Sequence, residues 1–229
     1  MIKKKGNFTL KNITEDKVWE SENIFHLKSD VSRYGKLLSH YEIYKQILSI
    51  PGDIIECGVF KGVSLLQFAS FRYLLETNAS RKIIGFDDFG LFTNQKNIDD
   101  KKFISNWNKE HGKGINDREL SKILNEKKFT NFELIKGDVK KTIPKYLKKN
   151  KHTKIALLHL DMDVYQPTIA ALKYFYKLMS NNGIILIDDY AVEVGATKAI
   201  DYFFRNKKVE IKKIGYHDHC SYIVCKKKI

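Results

Sequence analysis

Short apolar runs alternate with amphipathic stretches of helix length along most of this 229-residue chain. Continuous apolar runs are typical of buried strands, whereas apolar residues spaced three and four apart are typical of helices. The pattern predicts seven strands, at residues 53–57, 82–87, 132–136, 155–161, 183–188, 209–214 and 220–225. Helix-length segments separate the first five strands, as parallel crossovers require, but the last two strands are close enough only for an antiparallel hairpin at one edge. We therefore expect an α/β fold with a mainly parallel sheet and helices on both faces.

The apolar spacing also predicts helices before the first strand and after the fourth. Residues 31–48 carry an apolar face, which packs on the sheet edge or across a homodimer formed through the N-terminal helices. The later helix begins near Pro167 and stops before Asn182, with apolar residues at Ile169, Leu172, Phe175, Tyr176 and Met179.

A long, mostly polar segment at residues 93–129 follows the second strand, with one helix around Phe103 and Trp107 and another over residues 117–127. Long polar insertions beside strand ends often act as lids over a site. Since no flexible linker is visible, we expect one domain over residues 1–229. It has an N-terminal helical extension at about residues 1–50 and a lid-like insertion at about residues 93–130.

The composition is basic, with 41 Lys and Arg against 27 Asp and Glu and a formal net charge of +14. Such a charge suits nucleic acid or phosphorylated substrates. The lysines nevertheless occur in short runs spread along the chain, and no known nucleic-acid module is present. This distribution favours a solvated surface over a nucleic-acid interface.

Two features indicate a cytoplasmic protein. No apolar run approaches the roughly 20 residues of a membrane helix, and no apolar stretch follows the first lysines as in a secretory signal. The three cysteines, Cys57, Cys220 and Cys225, are too few for a disulfide framework. The pair His217 and His219 is predicted to lie in an exposed turn of the terminal hairpin.

A glycine loop follows the first predicted strand, with Glu56, Gly58 and Gly62 in a Glu-x-Gly-x-x-x-Gly pattern. Ligands of open α/β sheets bind beyond the carboxyl ends of the strands, where glycines allow close approach to the backbone. The spacing matches neither the dinucleotide fingerprint nor the P-loop. The acidic first residue favours a cationic ligand, such as the ammonium of an S-adenosylmethionine tail, over pyrophosphate.

Two further carboxylates end the second and third strands. Asp87 is placed where a carboxylate accepts hydrogen bonds from ribose hydroxyls, although a solvated acid at a strand end has the same pattern. Asp138 follows Gly137 and either lies near an adenine ring or caps the next helix.

The fourth and fifth strands each run apolar until they end in two carboxylates, at Asp161 and Asp163 and at Asp188 and Asp189. These four groups should converge at the carboxyl edge of neighbouring strands. Their mutual repulsion would be relieved by a hard divalent cation, since all-oxygen ligand sets suit Mg²⁺, Ca²⁺ or Mn²⁺ rather than zinc.

Together these motifs, from residues 31 to 190, resemble the macrocin and mycinamicin type of sugar O-methyltransferase. The resemblance implies a Rossmann-like, S-adenosylmethionine-dependent methyltransferase with a divalent metal, usually Mg²⁺. Carried over by position, Asp163 is the general base. The metal ligands are Asp161, Asp188 and Asp189, and the cofactor-binding residues are Glu56, Gly58, Gly62, Ser64, Asp87 and Asp138. The chain departs from the family pattern at Asp88, where a serine is usual.

The resemblance favours a hydroxyl on a nucleotide-linked sugar, a surface glycan or a glycosylated natural product as the acceptor. The basic segment at residues 96–128 is positioned to hold a phosphate or an anionic glycan. Two other functions stay open: a nucleic-acid methyltransferase, and a non-catalytic glycan-binding or scaffold protein on the same fold.

Overall fold

The computed structural model describes residues 13–93, 95–216 and 220–226. Its strands are β1 Asp53–Cys57, β2 Ile83–Asp87, β3 Phe132–Lys136, β4 Ile155–Leu160, β5 Met179–Ile187, β6 Lys212–Lys213 and β7 Ser221–Val224. Its α-helices are α1 Glu15–Lys28, α2 Ser32–Gln46, α3 Val63–Leu75, α4 Ile98–His111, α5 Asp117–Glu126, α6 Val139–Lys149, α7 Tyr165–Phe175 and α8 Val194–Phe204.

The strands form one sheet in the order β3-β2-β1-β4-β5-β7-β6. The first five are parallel, and β7 runs antiparallel to both β5 and β6. The predicted fold class is confirmed. From β1 the chain adds β2 and β3 on one side of the sheet, and it then crosses over to add β4 and β5 on the other side. The crevice beyond the carboxyl ends of β1 and β4 is therefore the topological switch point, where sheets of this kind bind ligands.

Helices cover both faces of the sheet. On one face α6, α7 and α8 pack over alternate strand residues, with Ile143, Leu172, Phe175 and Ile200 fully buried. On the other face α2, α3 and α5 do the same, with core residues that include Ile43, Tyr44, Leu65, Phe68 and Leu120. The predicted helix at residues 31–48 therefore packs on a sheet face, through its last two turns.

Two predicted boundaries were wrong. The helix expected to include Met179 ends at Phe175, followed by a short 3-10 turn. Met179 instead begins β5, where it pairs with Ile155 and is fully buried. Sheet pairing therefore outweighs the helical spacing there. The strand expected at residues 209–214 is only two residues long, and residues 217–219 with their two histidines lie outside the described part of the chain.

The two helices of the insertion pack differently. Its second helix, α5, buries Leu120 and Leu124 in the core, while α4 lies over the carboxyl edge of the sheet. Within the part of the chain that the structure describes, no helix is long and apolar enough to cross a membrane.

Candidate functional site

A cavity of about 940 Å³ opens beyond the carboxyl ends of β1, β2, β3, β4 and β5. This is near the upper end of the volumes of small-molecule sites. The glycine loop, the carboxylates after β4 and β5, one side of α2 and the inner side of α4 contribute to its walls. The cavity therefore gathers most of the residues that the sequence singled out.

The glycines of the glycine loop are required by close contacts with neighbouring residues of the protein, and one of them also lines the cavity. Gly58 lines the cavity and has a φ of 92°, and a Cβ added there would lie 1.7 Å from the carbonyl oxygen of Asp161. Gly62 has a φ of 81° and begins α3, where an added Cβ would lie 2.8 Å from Leu120. Gly62 is not among the cavity-lining residues, so its glycine serves the packing of α5.

Asp87 holds the glycine loop in place. Its Oδ2 accepts hydrogen bonds from the backbone N–H groups of Val59 at 2.8 Å and Phe60 at 3.1 Å. Its Oδ1 accepts a third from Phe89. A carboxylate has about four lone-pair positions, so Asp87 can still accept from a ligand hydroxyl in the cavity that it lines. The neighbouring Asp88 accepts from the backbone of Thr93 at 2.7 Å.

Glu56 lies behind the cavity rather than in its wall. It is fully buried, and its Oε1 accepts a hydrogen bond from the Ser64 hydroxyl and lies 3.1 Å from His159 Nδ1. Burial lowers the pKa of His159, but the hydrogen bond and charge of Glu56 outweigh this and raise it. Ser64 itself lines the cavity. Glu56 is thus connected to the cavity wall by its hydrogen bond with Ser64.

Asp138 serves as a helix cap. It is the N-cap of α6, where its side chain accepts from the backbone N–H of Lys140 at 3.0 Å. It also lines the cavity next to Gly137 and Val139. Both of the roles considered for Asp138 are therefore compatible with its position.

The four predicted carboxylates converge. Asp161, Asp163 and Asp189 each bring one oxygen to within 4.8 Å of the others. Asp189 is only 8% exposed, and its Oδ2 has no hydrogen-bond partner among the described residues. A buried, unpartnered carboxylate oxygen beside two more carboxylates is costly unless a cation is bound there. The donor set and the orphaned oxygen both fit a hard divalent cation.

Asp188 has a different partner. Lys36, on α2, places its Nζ 2.8 Å from Asp188 Oδ2 and 3.2 Å from Asp161 Oδ2. The Cys220 thiol lies 3.4 Å from the other oxygen of Asp188, Oδ1. Asp188 is therefore neutralised from within the protein, whereas Asp189 is not.

The pKa values of Asp163, Asp188 and Asp189 shift according to the charges beside each group. Burial and the charge of Asp161 raise the pKa of Asp163 well above its usual value, and burial and Asp163 do the same to Asp189. Burial also raises the pKa of Asp188, but Lys36 outweighs it and holds the pKa at about 2. Without a bound cation, the Asp163 and Asp189 pair therefore loses its protons at higher pH than Asp188 does.

Asp163 lies in a constrained backbone segment. Its φ is 59°, which is uncommon outside glycine. Its carbonyl accepts from the backbone N–H of Ala196 at 2.9 Å, and a Cβ on Gly195 would lie 2.7 Å from the Cα of Val164. The start of α8 thus supports the loop that presents Asp163 to the cavity.

The inner side of α4 forms an aromatic wall. Trp107 stacks on His111 with ring centroids 4.1 Å apart and meets the edge of Phe60 in the glycine loop at 5.6 Å. Asp100, also on α4, is almost fully buried and accepts from the backbone N–H groups of Tyr165 and Gln166, each at 3.1 Å. The helix is therefore tied to the N-terminus of α7, two residues beyond Asp163.

Sequence reasoning missed Lys36 and Asp100. Neither had a local signal, because the partners of Lys36 lie 125 and 152 residues away and those of Asp100 lie 65 and 66 residues away. The lysines of residues 96–128 are absent from the cavity wall, where the described cationic side chains are Arg33, Lys36 and Lys61.

The cysteines and the histidines His40 and His159 are absent from the cavity wall, although the ligand atoms of His40, His159 and Asp188 lie within 4.8 Å of one another. The three cysteines form no disulfide and are buried, and burial raises the pKa of the Cys57 thiol, which disfavours a thiolate nucleophile there. His40 and His159 are both fully buried, with ring centroids 5.2 Å apart.

The model of the macrocin O-methyltransferase family matches residues 39–222. No curated protein matches the chain. Among solved structures, the calicheamicin methyltransferase CalS11 is 25% identical, with a TM-score of 0.76 over 92% of this chain and 86% of that one. A second, apo structure of CalS11 is described as a TDP-rhamnose 3'-O-methyltransferase; it is 24% identical, with a TM-score of 0.70 over 93% and 87%.

Two further structures share the fold. The O-methyltransferase NovP is 18% identical, with a TM-score of 0.72 over 84% of this chain and 80% of that one. The methyltransferase PaMTH1 of Podospora anserina, solved with S-adenosylhomocysteine bound, is 16% identical, with a TM-score of 0.50 over 96% and 100%.

Proposed function

Because the chain belongs to the macrocin O-methyltransferase family and is an S-adenosylmethionine-dependent O-methyltransferase, we propose that it methylates a sugar hydroxyl with the help of one divalent cation. The observation that supports the cation most directly is the orphaned Oδ2 of Asp189, buried beside Asp161 and Asp163. The acceptor and the cation are proposals, and each has its own test.

We propose that the cofactor lies against the glycine loop. Gly58 and Ser64 line its path, Asp87 accepts from the ribose hydroxyls, and Asp138 lies beside the adenine. Glu56 would act indirectly, since it positions the Ser64 hydroxyl. Gly62 would act through the backbone turn that begins α3.

Asp161, Asp188 and Asp189 are the proposed ligands of the cation, which as Mg²⁺ usually keeps several of its waters. The ion pair between Asp188 and Lys36 would have to open for the cation to bind Asp188. When bound, the cation would lower the pKa of the acceptor hydroxyl and fix its oxygen in place.

Asp163 is the proposed general base. Its raised pKa reflects burial and the adjacent carboxylates, so a cation bound beside it would favour the ionised form that accepts a proton. Asp163 then takes the hydroxyl proton as the methyl group moves from the cofactor sulfur to the acceptor oxygen. The cofactor leaves as S-adenosylhomocysteine. The positive-φ loop keeps Asp163 oriented towards the cavity.

For the acceptor, we propose a nucleotide-linked sugar, the class of substrate that the CalS11 description names for that protein. Arg33 and Lys61 lie in the cavity wall and are suited to a diphosphate. Trp107 and Phe92 offer flat apolar surface to a sugar or base ring.

Calorimetry tests the proposal. S-adenosylmethionine and S-adenosylhomocysteine are titrated with Mg²⁺ and with a chelator, and a panel of nucleotide sugars is then assayed for methyl transfer. We expect cofactor binding in both conditions and turnover only with the cation. Turnover that persists undiminished in the chelator contradicts the metal. Methylation of RNA but of no sugar, with steep salt dependence of binding, favours a nucleic-acid substrate instead.

We also propose that two copies associate through α1. Within the described residues this helix buries no side chain, and Val18, Trp19 and Leu27 are 56%, 68% and 78% exposed. Large apolar side chains left exposed along a whole helix can mark an association surface. Light scattering after size exclusion should give twice the mass of the chain, and Trp19→Ser with Leu27→Ser should reduce it to the monomer. A monomeric wild type contradicts the proposal.

A further inference from the structure

The first turn of α7 is capped by a residue from another helix. Its N-cap residue, Val164, has no acceptor in its side chain, and its third residue, Pro167, has no N–H group. The backbone N–H groups of Tyr165 and Gln166 therefore need acceptors from elsewhere. Asp100 provides both, since its Oδ1 accepts from Tyr165 and its Oδ2 from Gln166, each at 3.1 Å. The cap of α7 thus belongs to the insertion.

The Asp100 carboxylate is placed at the N-termini of two helices. It lies in the first turn of α4, where Asn97 accepts hydrogen bonds from the backbone N–H groups of Asp99 at 2.8 Å and Asp100 at 3.2 Å. Helix N-termini carry partial positive charge and favour a carboxylate. Asp100 is only 2% exposed, so water screens this attraction weakly. The charge therefore stabilises the contact between α4 and α7.

The short loop before α7, residues 161–164, carries Asp163, the proposed base. Its backbone is constrained, because Asp163 has a φ of 59° and its carbonyl accepts a hydrogen bond from the start of α8. Only Val164 separates Asp163 from Tyr165, the first residue that Asp100 holds. A displacement of the first turn of α7 would therefore also displace the Asp163 carboxylate.

The other end of α4 is attached to the glycine loop. Trp107 meets the edge of the Phe60 ring, and just after the helix the backbone N–H of Ile115 donates to the Phe60 carbonyl at 2.7 Å. The Asn108 side chain also exchanges two hydrogen bonds with the backbone of Phe92, at 3.0 and 3.1 Å. Helix α4 therefore extends from the proposed cofactor site to the proposed base and contacts the structure that holds each.

We propose that Asp100 is a positioning residue, which couples the packing of α4 over the cavity to the placement of Asp163 for proton transfer. The inference rests on the proposed function, because it takes Asp163 as the base. When α4 is packed in place, Asp100 fixes the first turn of α7, and the loop holds Asp163 towards the cavity. When α4 separates from α7, two backbone N–H groups lose their acceptor and Asp163 loses its fixed position. The insertion thus links the enclosure of the substrate to the assembly of the catalytic site.

Asp100→Ala tests this coupling, with Asp99→Ala as the matched control. Asp99 is the exposed neighbour in the same turn and has the same charge. In an assay of sugar methylation, Asp100→Ala should lower kcat on the order of 10²-fold, since a small misplacement of a reacting group has effects of this size. The KM for S-adenosylmethionine should stay close to that of the wild type, because the glycine loop keeps its own contacts. Asp99→Ala should match the wild type in both.

A second variant separates the coupling from a simple helix cap. Val164→Thr places a hydroxyl at the N-cap of α7, where threonine is a favoured residue. Combined with Asp100→Ala, it should recover the melting temperature, but kcat should stay low because α4 remains detached. Hydrogen–deuterium exchange should accordingly become slow again in α7 and stay fast in α4. If circular dichroism shows that Asp100→Ala folds poorly, Asp100→Asn takes its place in both comparisons, because it keeps the shape of the side chain.

Three results overturn the inference: a kcat close to that of the wild type in Asp100→Ala, an equal fall in Asp99→Ala, or full recovery of kcat by Val164→Thr. The last would make Asp100 a helix cap and nothing more. If the wild type methylates no sugar, the proposed function fails instead, and exchange alone decides the coupling. Faster exchange in both α4 and residues 161–166 of Asp100→Ala then supports it, and unchanged exchange in either segment overturns it.

Discussion

The carboxylates at the two ends of the cavity differ in the hydrogen-bond partners that the protein provides for them. At the glycine loop, Asp87 accepts three backbone hydrogen bonds and needs no ligand to be stable. At the ends of β4 and β5, Asp189 keeps a buried oxygen without a partner, beside Asp163 and Asp161. The first region is therefore organised by backbone hydrogen bonds alone, whereas the proposed function has the second completed by a cation. Carboxylates at equivalent strand ends can thus have opposite roles.

The largest effect is expected at Asp163. Asp163→Asn removes the proposed base while keeping the shape of the side chain, so turnover should fall by about 10²–10⁴-fold, the usual contribution of general base catalysis. Calorimetry should show unchanged binding of S-adenosylmethionine, because Asp163 lies at the end of β4 and the proposed cofactor site lies at the glycine loop. Turnover close to that of the wild type would remove Asp163 from this role.

Asp189 and Asp188 form the next contrast. Asp189→Asn should weaken Mg²⁺ binding by about tenfold or more, while raising the melting temperature of the metal-free protein, because a neutral amide replaces a buried carboxyl group beside two others. Asp188→Asn should also weaken Mg²⁺ binding, but it should lower the melting temperature, because it breaks the pair with Lys36. Titration calorimetry and thermal unfolding in chelator measure both effects. A melting temperature that rises in Asp188→Asn would show that the pair with Lys36 does not stabilise the metal-free protein.

At the glycine loop, Asp87→Ala should lower both the stability of the protein and its affinity for the cofactor. Hydrogen bonds to a charged acceptor contribute about 1.5–3 kcal/mol each, and three backbone donors, two of them in the glycine loop, lose theirs. Asp88→Ala is the control, since Asp88 accepts only from Thr93 among the contacts described above. Thermal unfolding and calorimetry with S-adenosylhomocysteine should show the larger loss in Asp87→Ala. Equal losses would mean that the loop does not depend on Asp87.

The smallest effect concerns the imidazoles behind the acid cluster. Burial, helped by the charges of His159 and Lys36, lowers the pKa of His40 to about 3 from 6.5, while Asp188 opposes the shift. The unfolded chain therefore binds this proton first, and the contribution of neutral His40 to stability is lost as pH falls through 6.5 towards 3. His40→Gln should show a smaller drop in melting temperature between pH 7 and pH 5, roughly the range where an unfolded His titrates. An equal drop in both proteins would show that His40 does not contribute.

The amino-acid sequence alone was enough to predict the fold and the edge of the sheet at which the candidate site lies. Apolar runs that end in carboxylates predicted which side chains meet at the carboxyl edge, because parallel strands align their ends. Asp87, Asp161, Asp163 and Asp189 lie in the cavity wall as that rule requires. The spacing of the same motifs was also enough to suggest the family.

Only the tertiary structure decided which of these carboxylates is already satisfied. Lys36 is 125 and 152 residues from its two partners, and Glu56 is 103 residues from His159. Local pattern cannot specify such pairs, because they depend on how α2 packs across the sheet. Met179 shows the same limit, since its pairing with Ile155 overrode a helical spacing. Strand ends are thus readable from local periodicity, but the partner that balances a buried charge is set by the packing of distant segments.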